Sequence, residues 1–288
     1  MKFVVVDEPG QPPILGFPTC NALQLIKRIH SKSEEKQQDL PPVVNEFQDV
    51  FVGIGKLPVV HDIKLATGPN FVDPVVCAAS RLPFLLEGKV YKKLDQMVKD
   101  EIIVPVVEPT EWVSRMLVVG KPDGDVRICL DPSELNKAIL RQHFAVPTVE
   151  QLFAKIGKAK YFCSLDAASG FYQIPLSDRA SYLCTMATPK GRYQFLRLPF
   201  GLKSTPEVYL QVMSDLFGDI PGVIFYFYDF LVVGETTEEL ESNLRKVIVR
   251  CRETNLKLQL KSVDFSCNSC RGWGMSSKVE HFVQILRK

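Results

Sequence analysis

The sequence predicts an α+β fold, an antiparallel sheet with helices packed on one face. Three observations carry this. Apolar stretches pair around turn residues, as in "WVSRMLVVGKPDGDVRICLD" and "LCTMATPKGRYQFLRL", which is the pattern of hairpins. Segments with helical apolar spacing alternate with those hairpins. Two of the helical segments open on strong start signals, at Thr205-Pro206-Glu207 and at Thr236 with Glu239.

Taken in order, "KFVVV" reads as a strand and a Pro/Gly turn follows it. Ala22, Leu25, Ile26 and Ile29 then recur at helical spacing. The polar run "SKSEEKQQDLPP" at 31–42 marks a linker. Extended, proline-punctuated sequence continues to about residue 86. In "EGKVYKKLDQMVKD", Val90, Leu94 and Met97 share one helical face opposite lysines and acids. The first hairpin turns at Pro122-Asp123-Gly124. Thr148 with Gln151 forms a capping box for a short helix, 149–156. "AKYFCSLDAASGFYQIPL" is a strand, an acidic turn and an aromatic segment, and the next hairpin turns at Pro189-Lys190-Gly191. Thr205 is the expected N-cap of a helix with Pro206 at its first position, carrying Val208, Val212 and Leu216 on one face. "IFYFYDFLVVG" is strand, tight turn, strand. Thr236 and Glu239 make a second capping box, opening a helix that repeats Leu240, Leu244, Val247 and Cys251. No repeat at solenoid periods is present.

Composition narrows the function classes. The chain has 288 residues, 46% hydrophobic and 24% charged, which is globular. A formal charge of +2 is nearly neutral, so nucleic-acid binding requires a local basic surface. Apolar runs such as "IIVPVV" fall far below the roughly 20 residues of a membrane span. "MKFVVVDEPGQPP" is too short in its apolar run for a signal peptide. These features point to a reducing, cytoplasmic setting without membrane attachment. Of eight cysteines, only Cys267 and Cys270 have metal-ligand spacing. With no second such pair and no histidine pair nearby, a free thiol pair is favoured over a zinc site.

Two acidic turns stand out, Asp166 after "YFCSL" and Asp229 after "IFYFY". If their strands are neighbours, the carboxylates converge. Hard cations such as Mg²⁺ take oxygen ligands, and two such ions about 3.5–4 Å apart can drive an in-line phosphoryl displacement. From spacing alone, two turn carboxylates that cap local N–H groups are the favoured reading.

Residues 45–260 resemble the reverse transcriptase of gypsy-type long-terminal-repeat retrotransposons. The resemblance is carried, in order, by "EPTEWVSRMLVVGKPDGDVRICLDPSELNKAI", "AKYFCSLDAASGFYQIPL", "GRYQFLRLPFGLKSTPEVY" and "YFYDFLVVGET". "ILGFPTCNALQLIKRI" is similar to the C-terminal end of the retropepsin-like protease that precedes reverse transcriptase in such polyproteins. The protease's Asp-Thr/Ser-Gly is absent, so no protease activity is expected. The resemblance implies a right-hand polymerase fingers–palm. Residues 1–30 would be a protease remnant, 31–86 a linker and extended lead-in, 87–260 fingers and palm, and 261–288 a degenerate start of the primer grip and thumb.

The implied activity is RNA-directed DNA synthesis with two Mg²⁺ ions, an RNA/DNA template-primer and deoxynucleotides. Asp166 matches the first metal-binding carboxylate, the Ala167 carbonyl a further ligand, and Asp229 a second carboxylate. Phe171 matches the ring beneath the incoming sugar, which excludes a 2′-hydroxyl. Arg127 matches the fingers arginine on the triphosphate, where a fixed donor fork suits the task. Lys121 is a second phosphate candidate. Phe200, Gly201 and Lys203, in "LPFGLKSTPE", match the loop beside nucleotide and template. Each of these also has a plainer reading as a core aromatic, a hairpin lysine or an ordinary loop.

One position departs from the family pattern. The family hairpin carries two adjacent aspartates, and here Tyr228 stands where the first belongs. A phenol with a pKa near 10 is neutral at pH 7, so the site loses a negative charge and gains bulk. An impaired or inactive polymerase follows, in a fragment or decayed element with most of the thumb missing. The rival expectation is a non-catalytic nucleic-acid-binding or interaction module retaining the polymerase fold. A metal-dependent nuclease would also need clustered acids, but its RNase H acids would lie beyond residue 288.

Overall fold

The computed structural model describes residues 42–120, 124–141, 144, 156, 159–226, 229–260 and 263–267, with backbone alone at 42, 226, 229 and 264–267. Two sheets organise them. Four strands, β4 (Tyr161–Asp166), β7 (Val223–Tyr226), β8 (Asp229–Gly234) and β9 (Asp264–Cys267), form an antiparallel sheet in the order β7-β8-β4-β9. Five more form a second sheet in the order β1-β6-β5-β2-β3: β1 (Ile103–Val106), β2 (Ser114–Gly120), β3 (Val126–Asp131), β5 (Thr185–Thr188) and β6 (Gly191–Phe195). Here β2 pairs with β5 in parallel and the other pairs are antiparallel.

The helices are α1 (Pro42–Glu46), α2 (Phe84–Lys99), α3 (Ser133–Ala138), α4 (Asp178–Leu183), α5 (Thr205–Phe217) and α6 (Thr237–Glu253). Helices α5 and α6 pack on each other and on the four-stranded sheet, α5 against β7 and α6 against β8 and β4. They therefore share one face of it, as the sequence led us to expect. Leu240, Leu244, Val247 and Cys251 of α6 are all buried, as are Val90, Leu94 and Met97 of α2. Phe230, Leu231, Val232 and Val233 form a continuous buried run on β8, the signature of a strand covered on both faces.

Start signals behave differently at α5 and α6. At α6 the Thr236 hydroxyl accepts from the Glu239 N–H at 3.2 Å, and the Glu239 carboxylate accepts from the Glu235 N–H at 2.8 Å. At α5, Ser204 occupies the N-cap position without a side-chain cap, and Thr205 is the first helical residue. The Thr205 hydroxyl instead donates to the Pro199 carbonyl at 3.1 Å. It thereby anchors the preceding loop rather than capping the helix. The turn residues 122–123, the 149–156 helix apart from Ile156, residues 1–41 and Cys270 lie outside the described residues.

The 198–204 loop is fixed from its other side by α3. Asn136 donates to the Gly201 carbonyl and accepts from the Lys203 N–H, both at 2.9 Å. Gly201 has φ +105°, and a Cβ there would lie 2.7 Å from the Leu130 carbonyl oxygen. Both the left-handed backbone and the close approach demand glycine.

The lead-in before α2 is strapped across the fold. Leu57 N–H donates to the Gln173 carbonyl, His61 N–H to Pro175 and Ala66 N–H to Ala138. The Phe47 ring sits beneath the guanidiniums of Arg252 and Arg245, at 4.1 and 5.8 Å. The same arginines pair with Asp49 and Glu46, which holds both carboxyls below the usual carboxylate range through their arginine hydrogen bonds. Cys163, Cys184 and Cys251 are buried free thiols, and Cys77 and Cys129 are half-buried. Among the described residues no helix is long and apolar enough to cross a membrane.

Two outcomes follow for stability, both read by urea unfolding. Leu244→Ala empties a fully buried position and lowers stability by about 2–5 kcal/mol, whereas exposed Lys246→Ala stays within about 0.5 kcal/mol. Gly201→Ala forces a Cβ into the Leu130 carbonyl and lowers stability by more than about 1 kcal/mol.

Candidate active-site cleft

The last residue of β4 and the first of β8 are paired. The register runs Leu165 against Phe230 and ends with Asp166 against Asp229. Directly opposed residues of an antiparallel ladder lie on one face of a sheet, so the two acidic positions are neighbours at one end of it. Asp166 is half-buried. For Asp229 the backbone alone is described, and Tyr228 and Lys121 lie outside the described residues.

Beyond Asp166 the chain makes an isolated bridge, Ala167 against Leu258. It is closed by the Gln259 N–H donating to the Asp166 carbonyl and the Ala168 N–H donating to the Lys257 carbonyl, at 2.8 and 2.9 Å. Ala167's own carbonyl takes no part in these two bonds. A half-buried carboxylate and a backbone oxygen next to it are hard oxygen donors, suited to a cation such as Mg²⁺. Among the described residues, no three His, Cys, Asp or Glu side chains gather into a metal-holding group.

Asp166 and Ala167 open into a cleft of about 590 Å³ between the two sheets. Its walls also carry Arg127 from β3, Phe200 from the 198–204 loop, and Lys93 and Asp100 from the α2 region. Arg127 is exposed, and its guanidinium lies 5.5 Å from the Phe200 ring centroid. That stacking aims a permanent cation into the cleft.

The aromatic residues form a small cluster beneath this wall. Phe171 is 2% exposed. Its ring packs 4.8 Å from Phe200 and 5.4 Å from Tyr209. Tyr172 meets Phe200 edge-on at 5.4 Å, and its hydroxyl donates to the Ile128 carbonyl at 3.3 Å. Burial pushes the Tyr172 phenol well above its ordinary range, so it acts as a neutral donor. Burial likewise raises the Cys129 thiol, which keeps it protonated.

Of the residues singled out from sequence, the fold thus gathers Arg127, Asp166, Ala167 and Phe200 around one cleft, with Phe171 packed under Phe200. Gly201 and Lys203 are drawn instead toward α3 by Asn136, and the Lys203 side chain is exposed. Lys93, Tyr172 and Gln259 line the cleft without having been anticipated. Tyr172 stood beside Phe171 in an aromatic pair, a usable signal. Lys93 and Gln259 had none, because they reach the cleft from segments distant in sequence.

Comparison with known proteins fits this architecture. Residues 119–278 match the family described as reverse transcriptase (RNA-dependent DNA polymerase). The chain is 29% identical over 270 residues to the Retrovirus-related Pol polyprotein from transposon opus of Drosophila melanogaster, covering 91% of this chain and 26% of that protein. It is 33% identical over 201 residues to the corresponding polyprotein from transposon 412 of the same organism, covering 67% and 16%. The chain spans about a quarter or less of the length of these relatives. The crystal structure of prototype foamy virus protease-reverse transcriptase superposes with a TM-score of 0.69 at 22% identity, over 90% of this chain and 34% of that one. The foamy viral protein in complex with double-stranded DNA gives 0.70 at 18% identity, over 84% and 44%. At those identities the likeness is one of fold, and the fold is fingers and palm. With more than half of its length matched by the family, the chain belongs to the reverse transcriptases, and its relatives are retrotransposon Pol polyproteins.

Proposed function

We propose that this chain contributes the nucleotide-joining centre of an RNA-directed DNA polymerase, and that Tyr228 leaves that centre severely impaired. The observation that carries the reading is the register of Asp166 against Asp229 at a cleft that Arg127 and Phe200 also line. On this reading residues 87–260 are fingers and palm, 261–288 begin the primer-grip and thumb region, 31–86 are the lead-in, and 1–30 derive from a preceding protease.

Asp166, Asp229 and the Ala167 carbonyl would hold Mg²⁺. The bound metal supplies activation of the primer hydroxyl and stabilisation of the leaving pyrophosphate oxygen. The chain's own residues bind and orient. Arg127, held over Phe200, pairs with the triphosphate of a deoxynucleotide, with Lys121 and Lys203 as further cations. Phe171, packed against Phe200, is the ring that would lie beneath the incoming sugar and limit room for a 2′-hydroxyl. Gly201 lets the adjoining loop approach. Foamy viral relatives of this fold are complexed with double-stranded DNA and with an RNA/DNA hybrid, which supports a template-primer as the partner here.

Tyr228 favours a second reading, a module that binds nucleic acid without extending it. A neutral phenol removes one charge from a site meant for two dications, and loss of one charge-stabilising group in such a site slows chemistry by about 10²–10³-fold. Primer extension on a primed RNA template, with Mg²⁺ and with Mn²⁺, separates the two. We expect near-background incorporation from the chain as it stands, and a gain of at least about 100-fold in Tyr228→Asp. Robust extension by the unsubstituted chain, abolished in Asp166→Ala, would overturn the impaired reading. Hybrid binding by fluorescence anisotropy without extension in Tyr228→Asp would favour the binding module.

Arg127 offers an independent check. In the Tyr228→Asp background, Arg127→Ala is expected to raise KM for deoxynucleotide by about tenfold or more. Arg127→Lys should recover little of that loss, because a point charge lacks the planar fork.

A further inference from the structure

Three segments meet beneath the cleft floor, and one buried side chain bonds or touches all of them. Gln173 is 0% exposed. Its Nε2 donates to the carbonyls of Ala168 and Lys257, both at 2.8 Å, and its Oε1 accepts from the Lys257 N–H at 2.7 Å. Both amide protons and one oxygen lone pair are thereby engaged. The Gln173 main-chain carbonyl accepts from Leu57 N–H at 2.8 Å.

The lead-in reaches this amide at Gly55. A Cβ at that position would lie 2.3 Å from the Gln173 Oε1 and 2.1 Å from the Asn255 carbonyl oxygen, so the backbone is pressed against the amide. Arg197, 6% exposed, closes the arrangement from the other side. It donates from Nη1 to the Gly55 carbonyl at 3.1 Å and from Nε to the Glu101 carbonyl at 3.2 Å. Each segment that Gln173 ties together also contributes to the cleft lining: Ile54 from the lead-in, Asp166 and Ala167 from the acidic turn, and Gln259 from the returning chain.

We propose that Gln173 is the positioning residue of the Asp166–Ala168 turn, fixing the Asp166 carboxylate and the Ala167 carbonyl toward a divalent cation by locking that turn to residues 257–259 and to the lead-in at Gly55–Leu57. This rests on the metal-site reading above. Gln173 does not touch the metal position. It acts through the Ala168 carbonyl, one residue beyond the proposed ligand. A glutamate at 173 has nearly the same shape but presents a second oxygen to two carbonyls in place of the donor. The Ala168 carbonyl then loses this donor and the Lys257 carbonyl keeps only the Ala168 N–H, and the turn loosens.

The test uses Mn²⁺ as the probe, with free metal read by electron paramagnetic resonance and folding by thermal denaturation. In Gln173→Glu we expect Mn²⁺ binding to weaken by about 10- to 100-fold, the range seen when outer-shell partners of a metal site are removed. Hydrogen exchange on the unsubstituted chain gives a readout that needs no variant. Mn²⁺ should slow exchange in peptides containing Leu57 and Lys257 together with those at Asp166, and this alone decides the matter should Gln173→Glu fail to fold. Unchanged affinity in folded Gln173→Glu, or protection confined to the peptides at Asp166 and Asp229, overturns the proposal while leaving the metal site standing. An unsubstituted chain that binds no more Mn²⁺ than Asp166→Asn overturns the metal site itself, and the proposal with it.

Discussion

The antiparallel register of β4 and β8 is the constraint on which the rest of this molecule depends. Side chains alternate faces along a strand, so a slip of one residue would turn Asp166 away from its partner position and set every packed side chain of β8 on the opposite face. That slip is prevented by packing rather than by the acids. Phe162, Cys163 and Leu165 on β4 and the run Phe230–Val233 on β8 are buried, and α6 lies across both strands. The chemistry-bearing end of the hairpin thus inherits its geometry from a hydrophobic core that has no chemistry of its own.

The cleft is built on the same principle. Its polar groups stand at the ends or edges of packed elements: Arg127 on a strand of alternating burial, Phe200 on a loop pinned by Thr205 and Asn136, Asp166 at a strand terminus. The loop is held by neutral hydrogen bonds to backbone carbonyls and amides, whose strength changes little with salt or pH. Exposed ion pairs such as Arg245 with Glu46 and Arg250 with Asp219 lie elsewhere, where solvent screening leaves each pair little net effect.

Much of this was legible in the residues, and the failures have a common cause. Helix α6 announces itself through Thr236, its apolar repeat and its first-turn acids, all of which are local. The strands β2 and β3 are equally plain from their alternation around Pro122-Asp123-Gly124. Thr205 misled because a hydroxyl before a proline looks like a cap, while its real acceptor, the Pro199 carbonyl, is reached only once the loop folds back. The parallel pairing of β2 with β5 joins Ser114 to Met186, and no local pattern encodes a partner so distant. Within the site, Asp166, Arg127 and Phe200 could be found from motifs, whereas Ile54, Lys93 and Gln259 could not. Gln173 carried a signal that is easy to pass over, a single amide inside the apolar run "GFYQIPL". One amide in such a setting has to be satisfied by backbone, and here it is.

The strap formed by the lead-in has a consequence for how the molecule is made. Glu46 meets Arg245 across 199 positions, and Asp49 meets Arg252 across 203. Synthesis runs from the N-terminus, so residues 42–57 leave the ribosome long before α6 and the 257–259 segment exist to receive them. Contacts of such separation form late and at a high entropic cost of loop closure. During translation the strap must therefore wait undocked with Phe47 and Val50 uncovered, and the cleft floor is completed only after nearly the whole described chain has emerged.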